Sequence, residues 1–174
     1  MAGRRFEEAV LPHLDAAFNY ARWLTRNDSD AEDVVQDACI RAMRFINSLR
    51  DENARAWLFT IVRNTWYSRV TRRSSGTESA ARLSNADDDV ADAALDPEER
   101  LLQQQTVTRV RAALEQLPAD FREVLVLREI EGLSYKEIAE VLRVPLGTVM
   151  SRLARARDRL TAVLRLVQAP ETVR

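Results

Sequence analysis

The sequence is poor in the residues that break a chain or staple it. Its 174 residues include four glycines, five prolines and a single cysteine, Cys39. One cysteine excludes an internal disulfide framework and a thiolate metal cluster. Scarce glycine and proline, with Ala, Leu, Val and Arg recurring throughout, argue against a turn-rich β fold and for helices. No apolar run approaches the roughly 18–20 residues that span a bilayer, so no membrane insertion is expected. The opening stretch, Met1-Ala-Gly-Arg-Arg-Phe-Glu-Glu, carries two arginines without an apolar segment or cleavage site behind them, and a cytoplasmic location is the expectation. Also missing are a paired-carboxylate, Ser/His/Asp, glycine-rich phosphate-loop or metal-ligand pattern. Cys39 reads as a small buried side chain and His13 as part of an amphipathic helix. No catalytic residue, metal or cofactor is expected, and the chain is not read as an enzyme.

Lysine is nearly absent too, with Lys136 alone, so positive charge is almost entirely arginine. The planar guanidinium suits bidentate contact with phosphate and guanine. A net charge of −1 conceals an uneven distribution. Residues 1–73 are net +2, residues 74–99 net −7 and residues 100–174 net +4. Two mildly basic blocks are thus separated by an acidic stretch that lacks aromatics and any sustained apolar period. The expected architecture is all-α: two small helical domains, 1–73 and 97–174, joined by a flexible acidic linker over 74–96.

Periodicity fills in the first block. Phe6, Val10, Leu14, Ala17, Phe18, Ala21 and Leu24 share one face of a helix over 6–26. After the polar break at 27–30, Ser29 and Glu32 form a capping-box pattern. The next helix runs to about Leu49, with Val34, Val35, Ala38, Ala42, Phe45 and Ile46 turned inward. A helix over 54–72 buries Trp57, Leu58, Ile61, Val62 and Thr65 and presents Arg63, Asn64 and Tyr67 on its other side; its position on the buried stripe makes Trp57 a core residue. In the second block, helices are expected over 97–115 and 118–131, with Asp96 and Pro97 at the first start and Gly132 as a left-handed stop.

The last two helices point to a function. Ser134-Tyr-Lys-Glu137 is a capping box that opens a short helix ending at Leu142. Arg143-Val-Pro-Leu-Gly makes a tight turn, and Thr148 is placed to cap a helix reaching at least Leu160. Two short helices across such a turn have the dimensions of a helix-turn-helix. Ile138, Ala139, Leu142, Val144, Val149 and Leu153 are spaced to pack together. Met150, Ser151, Arg152, Arg155, Arg157 and Arg159 point outward, as a helix entering a major groove requires. A helical hairpin with a solvated basic face would share this spacing.

Gly132-Leu-Ser-Tyr-Lys-Glu-Ile-Ala-Glu-Val-Leu-Arg-Val-Pro-Leu-Gly-Thr-Val-Met-Ser-Arg-Leu-Ala-Arg-Ala-Arg157 resembles the −35-reading domain of extracytoplasmic-function sigma factors of the sigma-70 family, and Leu117–Arg128 fits the same domain. Asp30-Ala-Glu-Asp-Val-Val-Gln-Asp-Ala-Cys-Ile-Arg-Ala42 is similar to that family's helix for docking on the clamp of the largest subunit of core RNA polymerase. Ala56-Trp-Leu-Phe-Thr-Ile-Val-Arg-Asn-Thr65 resembles its −10-reading helix. The three motifs occur in the family's order, and together the likeness covers roughly residues 8–73 and 97–165.

The resemblance implies a promoter-recognition subunit for stress-responsive transcription, with core polymerase, promoter DNA and an anti-sigma factor as partners. It places Asp33, Gln36, Asp37 and Arg41 at the polymerase contact. Ser48, Leu49 and Arg50 fall in the loop that captures a flipped −10 base, with Arg63, Asn64 and Tyr67 on the adjoining helix. Tyr135, Thr148, Ser151, Arg152, Arg155 and Arg159 fall at the −35 element, Tyr135 and Thr148 against backbone phosphate. The sequence departs from relatives in two places: Ser48-Leu49 stands where some offer an aromatic, and Met150 where many carry Lys or Arg. Two other readings use the same helices, a stand-alone helix-turn-helix regulator and a sigma-like binding module that titrates an anti-sigma factor. Residues 74–99 could span roughly 85–90 Å fully extended, so core polymerase is expected to stretch them between two promoter elements. Promoter elements two helical turns apart lie ~70 Å apart, whereas residues 74–99 span about 25–30 Å as a free coil.

Overall fold

The computed structural model describes residues 1–50, 53–76 and 96–168, and every regular element among them is helical. The first domain comprises α1 (Ala2–Val10), α2 (Leu14–Thr25), α3 (Asp28–Phe45) and α4 (Ala54–Ser74). The single helix expected over 6–26 is two. Pro12 sits in a 3₁₀ turn, Leu11–His13, where its missing N–H and ring interrupt the α ladder. Arg26 closes α2 in the left-handed conformation, φ 57°, and its N–H donates to the Arg22 carbonyl at 2.8 Å.

The expected Ser29–Glu32 cap is displaced. Asn27, with extended backbone, accepts from the Asp30 N–H at 3.0 Å and starts α3 two residues earlier. A side-chain carbonyl at this position satisfies an N-terminal amide that the helix itself leaves orphaned. At the other end Phe45 is 59% exposed rather than inward, because the chain tightens into a 3₁₀ turn over Ile46–Ser48 and Ile46 takes the interior place. On α4, Leu58, Val62 and Thr65 are buried as expected, while Trp57 and Ile61 are half-buried. Phe59, outside the expected stripe, is fully buried, and its ring lies 5.0 Å from that of Tyr20.

The second domain comprises α5 (Pro97–Glu115), α6 (Ala119–Leu125) running into a π-helical segment (Val126–Ile130), α7 (Tyr135–Leu142) and α8 (Leu146–Gln168). Gly132 has φ +68°. It lets the Leu133 N–H turn back to the Leu127 carbonyl at 2.9 Å, a left-handed helix stop of the kind glycine favours. Ser134 and Glu137 make both capping-box bonds: Glu137 N–H to Ser134 Oγ at 3.1 Å and Ser134 N–H to Glu137 Oε2 at 2.6 Å. Arg143 ends α7 at φ 55°. The Pro145 carbonyl accepts from Thr148 at 3.0 Å and Val149 at 3.2 Å, so Thr148 lies inside the first turn of α8 instead of capping it. Ile138, Leu142, Val149 and Leu153 are buried together, with Ala139 and Val144 at their margin.

The two domains share a core. A continuous apolar cluster runs from Phe6 to Ala156, with α4 packed against α7 and α2 against the π-helical segment. Glu123, Val124, Leu125, Val126 and Leu127 are buried in succession, more than one face of a helix can hide, so this helix is covered on all sides. The expected linker falls mainly on residues 77–95, outside the described residues.

Candidate polymerase and nucleic-acid interfaces

Helical spacing puts Asp33, Gln36, Asp37 and Arg41 on one side of α3, where Asp33 and Gln36 are exposed and Asp37 and Arg41 half-buried. The face is braced from α4. Arg69 donates to Asp37 Oδ2 at 2.6 and 3.1 Å, lies 3.9 Å from the Asp33 carboxylate, and Arg73 reaches Asp30 at 3.2 Å. Sequence periodicity did not single out Arg69.

The structure treats the three residues of the base-capture loop differently. Ser48 is exposed and donates to the Phe45 carbonyl at 2.7 Å. Arg50 is exposed as well. Leu49 is buried, and its carbonyl accepts from Arg5 at 2.8 Å. On α4 the Arg63 guanidinium lies 4.6 Å from the Tyr67 ring centroid, a cation–π distance. Asn64, one residue on, is partly buried.

Arg63 is not free. Its Nε donates to Glu123 Oε1 at 2.7 Å and its Nη2 to Oε2 at 3.4 Å, and Tyr20 donates its hydroxyl to the same Oε1 at 2.6 Å. Burial alone would lower the Arg63 pKa, but the hydrogen bond and charge of Glu123 outweigh it and raise the value. Burial first, then the Glu123 carboxylate, push the Tyr20 phenol well above its ordinary range. Sequence reasoning missed Glu123; the one signal is a carboxylate heading the apolar run Val124–Leu127.

Along α8, Ser151, Arg155 and Arg159 are exposed at intervals of four, and Ser151 donates to the Thr148 carbonyl at 3.1 Å. Met150 is exposed beside them, while Thr148 and Arg152 are half-buried. Arg157 is held by Glu129 at 2.7 and 3.1 Å. Tyr135, at the start of α7, is half-buried, with Arg128 4.7 Å from its ring centroid. The arrangement offers a solvent-facing row of one hydroxyl and two guanidiniums on the second helix of a helix-turn-helix. Among the described residues no group of His, Cys, Asp and Glu could hold a metal ion, and no helix is long and apolar enough to cross a membrane.

Comparison with known proteins agrees with both halves. The model of Sigma-70 region 2 matches residues 9–76, and that of Sigma-70, region 4 matches residues 108–160. The RNA polymerase sigma-H factor of Pseudomonas aeruginosa is 33% identical over 92% of the chain and 86% of that relative. An ECF RNA polymerase sigma factor, SigE of Mycolicibacterium smegmatis, is 36% identical over 89% of the chain, which spans 60% of that longer relative. Among solved structures, the sigma factor RpoE of Bartonella quintana, crystallised with the anti-sigma factor NepR, superposes with a TM-score of 0.74 at 32% identity, covering 92% of this chain and 96% of that one. With both regions present in order, the chain belongs to the sigma-70 family of RNA polymerase sigma factors, within its extracytoplasmic-function group.

Proposed function

We propose that this sigma factor docks on the clamp of core RNA polymerase through Asp33, Gln36, Asp37 and Arg41, reads the −10 element with α4 and the 48–50 loop, reads the −35 element with α8, and helps open the duplex. The observation that carries the reading is the exposed row Ser151, Arg155 and Arg159 on the second helix of the helix-turn-helix, in a chain whose other half matches sigma region 2. N-terminal side chains of such a helix reach base edges, and later arginines reach phosphates. In the 48–50 loop, Ser48 and Arg50 are the side chains available to a flipped base, since Leu49 is part of the core. Capture of that kind holds DNA open without chemistry on the base, and the protein works as a binding subunit in the cytoplasm, with no catalysis and no cofactor of its own. An anti-sigma factor is a fitting further partner, as the Bartonella sigma factor has one in its crystal.

Run-off transcription with purified core polymerase on a selected promoter library tests the reading. Specific transcripts, absent with core alone, are the expected result. Tight promoter binding without core, and no transcripts with it, would instead fit a stand-alone regulator. Asn64→Ala should impair open-complex formation more than initial DNA binding.

A further inference from the structure

Glu123 belongs to the second domain, yet its close partners, Tyr20, Arg63 and Tyr67, all belong to the first. Its side chain is 4% exposed, and Tyr20 and Arg63 supply three hydrogen bonds to its two oxygens. Removing Tyr20 or Arg63 would leave a buried charge poorly compensated. Weaker contacts surround this one. Arg26 approaches Glu115 at 3.8 Å, and Arg111 lies 5.8 Å from the Trp23 ring centroid.

Two consequences bear on DNA binding. The Arg63 guanidinium, on the −10-reading helix, is already occupied by a carboxylate that stands where a phosphate oxygen or base acceptor would bind. The reading heads are also too close together. Helices packed like α4 and α7 have axes about 8–10 Å apart, and α7 carries the −35-reading α8 packed beside it, whereas elements two duplex turns apart are separated by ~70 Å. The described conformation cannot engage both.

We propose that Glu123, gripped by Tyr20 and Arg63, is an intramolecular latch that holds the free chain closed with its −10 face masked, and that promoter engagement requires its release. The proposal rests on the assignment of Arg63 to the −10 face. DNA or a partner that draws Arg63 away strands the buried carboxylate, so loss of the latch shifts the balance against the closure that the shared apolar core otherwise favours. Opening is thereby made dependent on a ligand that can replace Glu123.

The test compares the full chain with Glu123→Gln, which keeps shape but removes charge, and Tyr20→Phe, which keeps the ring on Phe59 but removes the hydroxyl. Small-angle X-ray scattering gives the radius of gyration, about 16 Å for a compact chain of this length. Binding of a single-stranded oligonucleotide, carrying the −10 sequence selected by transcription, is measured on the same samples without polymerase. The expected result is expansion of both variants, larger for Glu123→Gln, with oligonucleotide affinity raised about tenfold, as for a competent form populated at ~10% in the parent chain. A radius unchanged from the parent's, or an affinity that does not rise, overturns the latch. Circular dichroism melts confirm folding; if Glu123→Gln does not melt cooperatively, Tyr20→Phe decides alone. Scattering does not depend on promoter reading, so failure of the latch is distinct from failure of the functional assignment, which would show as no transcription from the parent chain with core enzyme.

Discussion

Arg69 on α4 clasps Asp37 on α3 through two donors, at 2.6 and 3.1 Å. The helix assigned to polymerase docking is thereby fixed to the helix assigned to the −10 strand. Asp37 is 42% exposed and Arg69 21%, so screening limits the pair's contribution to stability to about 0–1 kcal/mol.

Asp37→Arg should therefore report mainly on docking. If this face docks on a basic clamp as proposed, the swap turns attraction into repulsion and should weaken core affinity at least about tenfold, ~1.4 kcal/mol. Stability should fall by no more than about 1 kcal/mol. Fluorescence titration with core polymerase measures the first and chemical denaturation the second. Full affinity in a folded variant would remove this face from the polymerase contact.

Arg155 and Arg159, both exposed on α8, should separate by role. Arg155→Ala should cost about 1–3 kcal/mol and relax preference at one −35 position, whereas Arg159→Ala should weaken all sequences alike and flatten the salt dependence by about one unit. Selection from randomised −35 duplexes, with affinities measured over a salt series, distinguishes them. An unaltered −35 preference in Arg155→Ala would refute base reading by that side chain.

Backbone handedness gives a paired prediction. No atom beyond its chain neighbours lies within 4 Å of a Cβ built on Gly132, so only its φ of +68° opposes a side chain. Gly132→Ala should destabilise by about 1–2 kcal/mol. Arg143 tolerates φ 55° without being glycine, and Arg143→Gly should stabilise by about 1 kcal/mol. Urea midpoints of opposite sign are the expected observation.

Glu131 supplies a pH dependence. Burial raises its carboxyl pKa, against an opposing pull from Arg55. A carboxyl with its folded value above its unfolded one binds more protons in the folded chain, so its contribution to stability falls as pH rises above about 4.3. Glu131→Gln should raise stability at neutral pH by up to about 1 kcal/mol, and the gain should vanish below about pH 4. Thermal melts at pH 4 and pH 7.5 check it; an equal gain at both would exclude the carboxyl's ionisation as the cause.

Local signals made much of the fold legible. The Ser134–Glu137 cap, the Gly132 stop and the apolar spacing of Ile138, Leu142, Val149 and Leu153 are each written within a few residues of where they act. Pro12, Asn27 and Thr148 were harder, since each competes with a neighbour for the same boundary and only backbone geometry decides. Phe45 and Phe59 show the limit of a single-face pattern. The first follows the periodicity but meets a 3₁₀ turn; the second departs from it but meets Tyr20. Least legible was the closure of one domain on the other. Tyr20 and Glu123 are 103 positions apart, and no periodicity within either block signals a partner in the other. Spacing located the outward faces of α4 and α8, and the resemblance gave them their DNA-facing roles, but neither could reveal the pairing of Arg63 with Glu123.

The all-round burial of Glu123 to Leu127 links the conformational balance to temperature. Separating the domains hydrates aliphatic side chains that are dry when closed, which gives the open chain the larger heat capacity. The apolar contribution to closure is accordingly weakest in the cold and strengthens as the solution warms. A few aliphatic residues at a domain junction thus give the equilibrium a thermal curvature of its own, independent of polymerase or DNA.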